Sequence, residues 1–397
     1  MGSKVRFLTL LSVLALLLVV ALPVAAAPEG PRAPLFAANS PAAIRGQYIV
    51  VLKPDAVTRL DELIAAAEQA GAGETRLLHR YEAALNGFAA ALPDRAVEAL
   101  RLHPAVDYIE VDQAVQIDTT QSPATWGLDR IDQRNLPLSN SFTYNATGAG
   151  VKAYIIDTGI RFSHNDFGGR AVTGYDSVDG GSADDCNGHG THVAGTVGGS
   201  TYGVAKGVTL VGVRVLNCSG SGSTSGVIAG VDWVTGNHTG ANPAVANMSL
   251  GGSASTSLDN AVKNSIADGV TYAIAAGNSN KNACNYSPAR VADAITVGAT
   301  TSSDSRASYS NFGSCLDIFA PGSSITSAWY TGDQATNTIS GTSMAAPHVA
   351  GVAALYLQGS PGASPSTVRN ALVNLSTTGV VKSAGRNSPN RLLFTNY

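Results

Sequence analysis

Between Val151 and Thr300 the chain keeps returning to short apolar runs that show no polar alternation. They are "VKAYIID" (Val151–Asp157), "LVGVRVL" (Leu210–Leu216), "VANMSL" (Val245–Leu250), "VTYAIAA" (Val270–Ala276) and "AITVGAT" (Ala294–Thr300). A strand with one face in water carries a polar residue at every second position. These runs do not, so both their faces are covered. Helical stretches at His189–Gly198, Gly226–Val234 and Leu258–Asp268 lie between them. Strand–helix alternation with such strands implies an α/β domain: a mainly parallel sheet with helices on both faces. In that architecture the chemistry collects at the carboxyl ends of the strands.

The segment before Thr119 has a different texture. Lys4 and Arg6 precede an apolar run, Phe7 to Val20, and small residues follow at Val24–Ala27. This is the pattern of a secretory signal peptide covering 1–26. The run is short for a membrane span of about 20 residues, so secretion without a membrane anchor is expected. Residues 27–118, with a core at 46–115, read as a small α+β module. Gln47–Leu52 is a strand ended by Pro54, and Ala56–Ala70 is helical and closed by Gly71 and Gly73. Leu85–Leu92 is a strand, Asp94 caps a second helix with Ala96, Val97 and Leu100 facing inward, and Val106–Asp112 is a strand. The order fits a ferredoxin-like β-α-β-β-α-β unit. All seven glutamates of the chain lie before residue 119, so residues 119–397 must do any carboxylate chemistry with Asp. The net charge of −3 gives no reason to expect nucleic acid as a partner.

Three clusters fall where the α/β architecture places its chemistry. In "AYIIDTGI", Asp157 follows a buried strand directly. In "DCNGHGTHVAG", Asn187-Gly188 lead into a helix opening at His189. In "SGTSMAAPHVAG", Gly341-Thr342 turn the chain and Ser343 opens a helix apolar on nearly all faces, with Pro347 tolerated near its start. Singly, such an Asp or Ser caps a turn or a helix. Together they supply what an alcohol nucleophile needs: a base to take its proton, and a third group to hold the base's tautomer and stabilise its charged form. The chain order Asp, His, Ser differs from the Ser, Asp, His order of α/β-hydrolases and the His, Asp, Ser order of chymotrypsin-like enzymes. A zinc site on His189 and His192 lacks both a Glu and an evident third ligand. The four cysteines, Cys186, Cys218, Cys284 and Cys315, allow three pairings.

The three clusters resemble, in order, the active-site signatures of the subtilisin-like serine proteases. The similarity runs from about Thr119 to the C-terminus and is greatest to the proteinase K branch, particularly its aqualysin-like bacterial members. The preceding module resembles their inhibitor-type propeptide, which in the family templates folding, blocks the cleft and is cut off autocatalytically. The resemblance implies that Ser343 attacks the scissile carbonyl, that His189 is base and then acid, and that Asp157 holds the other ring nitrogen. It makes Asn278, after the Ala-Ala-Gly run of "AIAAGNS", and the Ser343 N–H the oxyanion donors.

The same resemblance assigns the peptide-binding edges to Ser219, Gly220, Ser221 and Gly222 and to Ser249, Leu250 and Gly251. It walls the first side-chain pocket with Ser249–Gly252 and with Ala275, Ala276 and Gly277. Small, uncharged walls imply broad endopeptidase activity with large apolar or aromatic residues before the cut. Aqualysin-like relatives bridge the positions of Cys186–Cys218 and Cys284–Cys315. The resemblance also implies structural Ca2+, an ion that oxygen ligands suit, at Asp317 with the carbonyls of Ala292 and Ala294, and Asp129 and Asp132 in "GLDRIDQ" suggest a second site. The expected partners are protein and peptide substrates and the chain's own propeptide, with the enzyme a secreted monomer. A catalytically dead scaffold and an esterase are the rival readings. The full residue set disfavours the first, and the extended binding edges disfavour the second.

Overall fold

The computed structural model describes residues 32–40, 43–113, 119–240 and 242–397. The signal segment 1–26 and the expected maturation boundary at Asp118 lie outside the described residues. The chain divides into two compact units, Met1–Gln116 and Ile117–Tyr397.

The first unit contains β1 (Leu35–Phe36), β2 (Ala43–Leu52), α1 (Leu60–Gly71), β3 (Arg76–Tyr81), β4 (Gly87–Ala91), α2 (Asp94–Arg101) and β5 (Val106–Gln113). The sheet order is β1-β5-β2-β4-β3, with β2, β3, β4 and β5 antiparallel to their neighbours and β1 parallel to β5. Without β1 this is the ferredoxin-like order expected from sequence. Its core joins Val50, Leu63, Phe88, Leu100 and Ile109, all essentially buried. Three details differ from the sequence reading. The first helix begins at Leu60, because Pro54–Arg59 forms a separate 3-10 turn with a kink at Ala56 (φ −107°, ψ 17°). The left-handed residue that ends it is Ala72, between the two glycines. Asp94 is the first helical residue of α2 rather than its cap; Pro93 stands at the cap position and makes no side-chain cap bond.

The second unit is built on a nine-stranded sheet. Its elements in chain order are β6 (Lys152–Asp157), β7 (Ala171–Asp176), α3 (His189–Gly198), β8 (Thr209–Arg214), α4 (Thr224–Asn237), β9 (Ala244–Met248), α5 (Thr256–Asp268), β10 (Thr271–Ala275), β11 (Ile295–Thr300), β12 (Ile318–Pro321), α6 (Thr342–Gly359), α7 (Pro365–Leu375), β13 (Thr377–Thr378) and β14 (Arg391–Leu392). The strand order is β13-β14-β12-β11-β10-β9-β6-β8-β7, parallel throughout except for the β13–β14 pair.

Alternate side chains of the central strands enter two cores. Ala153, Ile155, Val245 and Ala273 pack with α3, α6 and α7 on one face. Tyr154, Ile156, Ala246 and Tyr272 pack with α4 and α5 on the other. This explains the continuous apolar runs: every strand position has a core to enter. Strands β7 and β12 lacked that signal. Strand β7 is the sheet edge, with Val172 44% exposed, and β12 is only four residues long.

Candidate active site

Strand β6 ends at Asp157, which is fully buried, and its Oδ1 lies 2.7 Å from His189 Nδ1. Oδ1 also accepts the Thr158 N–H at 2.8 Å, which fixes the carboxylate plane. Gly188 carries the chain into α3 with φ 108°, and a Cβ there would come within 2.5 Å of the Trp329 ring. The resulting helix start presents His189 with 26% of its side chain exposed. Burial disfavours its charged form, but Asp157, bonded to Nδ1, and Asp185 behind it more than reverse that. Its pKa is raised above the ordinary 6.5. His192, one turn on, is buried, donates Nε2–H to the Ile325 carbonyl (3.0 Å) and meets the Trp329 ring edge-on. It is a packed, hydrogen-bonded support for the helix start.

Helix α6 begins at Thr342, so Ser343 lies in its first turn, where backbone N–H groups have no intrahelical acceptor. Its Oγ donates to the Ser249 carbonyl at 3.1 Å, and the Ser249 hydroxyl donates to the Ser343 carbonyl at 2.8 Å. The second bond explains how α6 carries Pro347. That residue sits in the second turn, not the first, and its missing N–H would have bonded the carbonyl four residues back, which is Ser343. Ser249 takes that carbonyl instead and ties the serine's backbone to a pocket wall.

Asn278 follows β10 and Gly277, whose φ is 98°. Its Oδ1 accepts both the N–H and the Oγ1–H of Thr342, each at 2.8 Å. Asn311, which is buried, braces the loop: its Nδ2 donates to the Ala276 carbonyl (2.8 Å) and its Oδ1 accepts from the N–H groups of Ser279 and Lys281. Sequence reasoning gave Thr342 only a turn and passed over Asn311 and Asp185. Thr342 and Asn311 act through partners that only the fold brings near, and Asp185 joins its own loop and helix start to the distant Thr158.

Two adjoining cavities share Ser249–Ser253. One, about 570 Å³, is lined by His189, Leu216, Val227 and the exposed Ser219–Gly222 loop. The other, about 370 Å³, is lined by Ala275–Asn278, Tyr286, Asn311 and Ser343, and no charged side chain lines it. The fold therefore gathers the expected base, nucleophile, oxyanion donor, binding edges and pocket walls around one groove.

The disulfides are Cys186–Cys218 (Cα–Cα 4.8 Å) and Cys284–Cys315 (5.4 Å). The first joins the loop before α3 to the segment entering the Ser219–Gly222 edge, and Asn187 Nδ2 donates to the Cys218 carbonyl beside it.

The expected calcium residues are less uniform. Asp317 Oδ2 accepts the Thr296 N–H at 2.8 Å, and Oδ1 is paired with Arg369, so both oxygens already have partners. Ala292 and Ala294 lie just before Ile295, which opens β11. Asp129 accepts from Ser139 and Asn140. Asp132 Oδ2 accepts the Thr143 N–H, but its Oδ1 is buried with no partner. Burial, with the Asp129 charge adding to it, pushes the Asp132 carboxyl up to about 6. Among the described residues no group of three or more His, Cys, Asp or Glu side chains is placed to hold a metal, so any site here depends on backbone, hydroxyl or amide oxygens.

A buried carboxylate–histidine pair at a strand end, with a serine at a helix mouth on the same groove, is the side-chain set of a serine hydrolase. Comparison with known proteins narrows this. Residues 148–392 match the model of the subtilase family (peptidase S8), and residues 47–118 match that of peptidase inhibitor I9. The chain is 61% identical over 384 residues to an extracellular serine proteinase of Thermus sp. (strain Rt41A), an alignment spanning 92% of this chain and 93% of that one. It is 59% identical over 322 residues to alkaline serine exoprotease A of Vibrio alginolyticus, covering 79% of this chain and 59% of that longer one. A crystal structure of a cold adapted subtilisin-like serine proteinase matches 70% of this chain and 100% of its own, with a TM-score of 0.67 and 60% identity. The chain belongs to the subtilase family: it is a subtilisin-like serine proteinase preceded by an I9-type propeptide.

Proposed function

We propose that the chain is a secreted endopeptidase that works through an acyl-enzyme formed on Ser343. His189 takes the serine proton and returns it to the leaving amine, while Asp157 holds the Nδ1–H tautomer. The Asn278 amide and the Ser343 N–H receive the oxyanion. The observation that carries this reading is the 2.7 Å His189–Asp157 bond at the mouth of the groove that Ser343 also lines. In the structure the Ser343 hydroxyl rests on the Ser249 carbonyl, so attack begins with its rotation toward the imidazole.

An extended peptide would pair with the backbone at Ser219–Gly222 and Ser249–Gly251. The uncharged pocket with Ala and Gly walls favours a large apolar or aromatic residue before the cut. Chromogenic peptides test this: a strict Arg or Lys requirement would contradict it. Among the described residues no helix is long and apolar enough to cross a membrane. Together with the signal-like N-terminus and the extracellular Thermus relative, this supports secretion. Maturation would be autocatalytic, near Asp118. Ser343→Ala should then leave uncleaved precursor, and normal processing of that variant would overturn self-cleavage.

Calcium is proposed as a structural ion. The unpartnered Asp132 Oδ1 beside Asp129 suits a hard cation, whose charge would favour the ionised form of Asp132 where protein donors serve only one of its oxygens. At Asp317 a cation would have to displace Arg369.

A further inference from the structure

Helix α3 starts without a side chain of its own at the cap position, because Gly188 stands there. Its orphan N–H groups are served from outside. His189 N–H donates to Asn187 Oδ1 (3.2 Å), Gly190 N–H to Thr158 Oγ1 (2.9 Å), and Thr191 N–H to Asp185 Oδ2 (2.9 Å). Asp185 is the centre of this arrangement. Its Oδ1 accepts the Thr158 hydroxyl and the N–H groups of Asn187 and Gly188, each at 2.9 Å, and its Oδ2 also accepts the Thr191 hydroxyl at 2.6 Å. One carboxylate thus joins the residue after Asp157 to the first turn of the helix that carries His189. No hydrogen bond links it to the imidazole.

We propose that Asp185 is the positioning residue of the catalytic base, holding α3 in register with the end of β6 so that His189 meets Asp157. This rests on the triad reading above. Thr158 is the hinge of the device: its N–H fixes Asp157 Oδ1, its hydroxyl donates to Asp185, and its oxygen receives the helix. A carboxylate with several charge-assisted bonds defines its neighbours' geometry more tightly than neutral caps do. It also sits at a helix N-terminus, where negative charge is favoured. Misplacing a base by about 1 Å costs roughly 100-fold in rate.

Asp185 has a second, electrostatic consequence. Together with Asp157 it favours the protonated imidazole. The other charges nearby are already engaged or neutral. Arg214 is held by Asp176 and Asp179, Arg161 by Asp333, and Asp184 by Ser182, and His192 is buried with a depressed pKa. Removing the Asp185 charge therefore moves the titration of His189 in one direction, downward.

The test is steady-state kinetics on mature Asp185→Asn and Thr158→Val, normalised by active-site titration, with the Ser343→Ala precursor assayed beside them at equal protein concentration. Asp185→Asn should lower kcat by roughly 10- to 100-fold, leave KM within about twofold, and shift the acid limb of kcat/KM to lower pH. Thr158→Val, which keeps the charge but removes both hydroxyl links, to Asp185 and from the Gly190 N–H, should lower kcat without an equal shift of that limb. If Asp185→Asn does not mature, Thr158→Val carries the test, and wild-type kcat in it overturns the proposal. An Asp185→Asn enzyme that is less heat-stable but keeps its kcat and acid limb would make Asp185 merely structural. Activity retained in Ser343→Ala would instead sink the triad reading itself.

Discussion

Asn278 and Thr342 are locked together by two hydrogen bonds of 2.8 Å, both accepted by the Asn278 Oδ1. The lock fixes which end of the amide is which, so the N–H2 end is the one left to line the cavity with Ser343. Thr342 Oγ1 also accepts the Gly277 N–H at 3.1 Å. Removing the donor in Asn278→Ala should lower kcat by roughly 100- to 1,000-fold, the range found for such a donor in this same superfamily, with KM little changed. Thr342→Val removes the hydroxyl bond to Asn278 and the one from the Gly277 N–H, keeps the Thr342 N–H bond to Asn278, and should give a smaller loss in the same parameter. Steady-state kinetics on one peptide substrate checks both; an Asn278→Ala enzyme with wild-type kcat would remove it from the oxyanion site.

The pH profile follows from His189. The base acts when neutral, and its pKa is raised by Asp157 and Asp185 despite burial. The acid limb of kcat/KM should therefore have its midpoint above 6.5, the ordinary histidine value. A midpoint below that value would contradict the geometry.

Stability should fall at lower pH for a different reason. Burial pushes His192 and His348 down to about 4 each, from 6.5. The folded pKa lies below the unfolded one, so the neutral, folded form is fully favoured above about 6.5. That contribution is lost as pH falls toward 4, by an amount on the order of 3 kcal/mol per histidine. Unfolding of enzyme blocked by a serine-directed inhibitor, followed between pH 7 and pH 4, should show a declining midpoint. The decline should be reduced in His348→Gln, and a profile unchanged by that substitution would show that His348 does not contribute.

Chelation tests the calcium proposal. Thermal half-life should shorten in excess chelator and recover with added Ca2+. In Asp132→Asn the response should be much reduced. An undiminished response in that variant would place the ion elsewhere, and no response in the parent would remove structural calcium.

Each disulfide closes a loop of similar size, 32 and 31 residues of separation. The chain-entropy model gives each up to roughly 3.5 kcal/mol. Cys284→Ser with Cys315→Ser should lower the melting temperature and leave kcat near wild type, since Cys284–Cys315 touches none of the groove's catalytic side chains. A stability equal to the parent's would contradict a bracing role for that bridge.

Much of this site was legible in sequence because it is contiguous there. Asp157, His189 and Ser343 each sit in a run whose turn and helix start are encoded by their immediate neighbours, and Asn278 follows a strand end marked by Gly277. The residues that passed unnoticed act at a distance. Thr342 matters because Asn278 is folded against it, Asn311 because it reaches the Ala276 carbonyl, and Asp185 because Thr158 lies across from it. None of these contacts leaves a local pattern. The parallel sheet was readable from strands buried on both faces, whereas β7 and β12 were not, one lying at the edge and the other too short for a period. Strand β3 is half exposed without strict alternation, so it also carries no signal.

The account turns on Ser343 being the nucleophile that His189 activates. Labelling the secreted protein with a fluorophosphonate and mapping the modified peptide tests both at once. The adduct should be found on Ser343, and it should be lost or greatly slowed in His189→Ala. An adduct on another serine, or none on protein that still cleaves peptides, would contradict it.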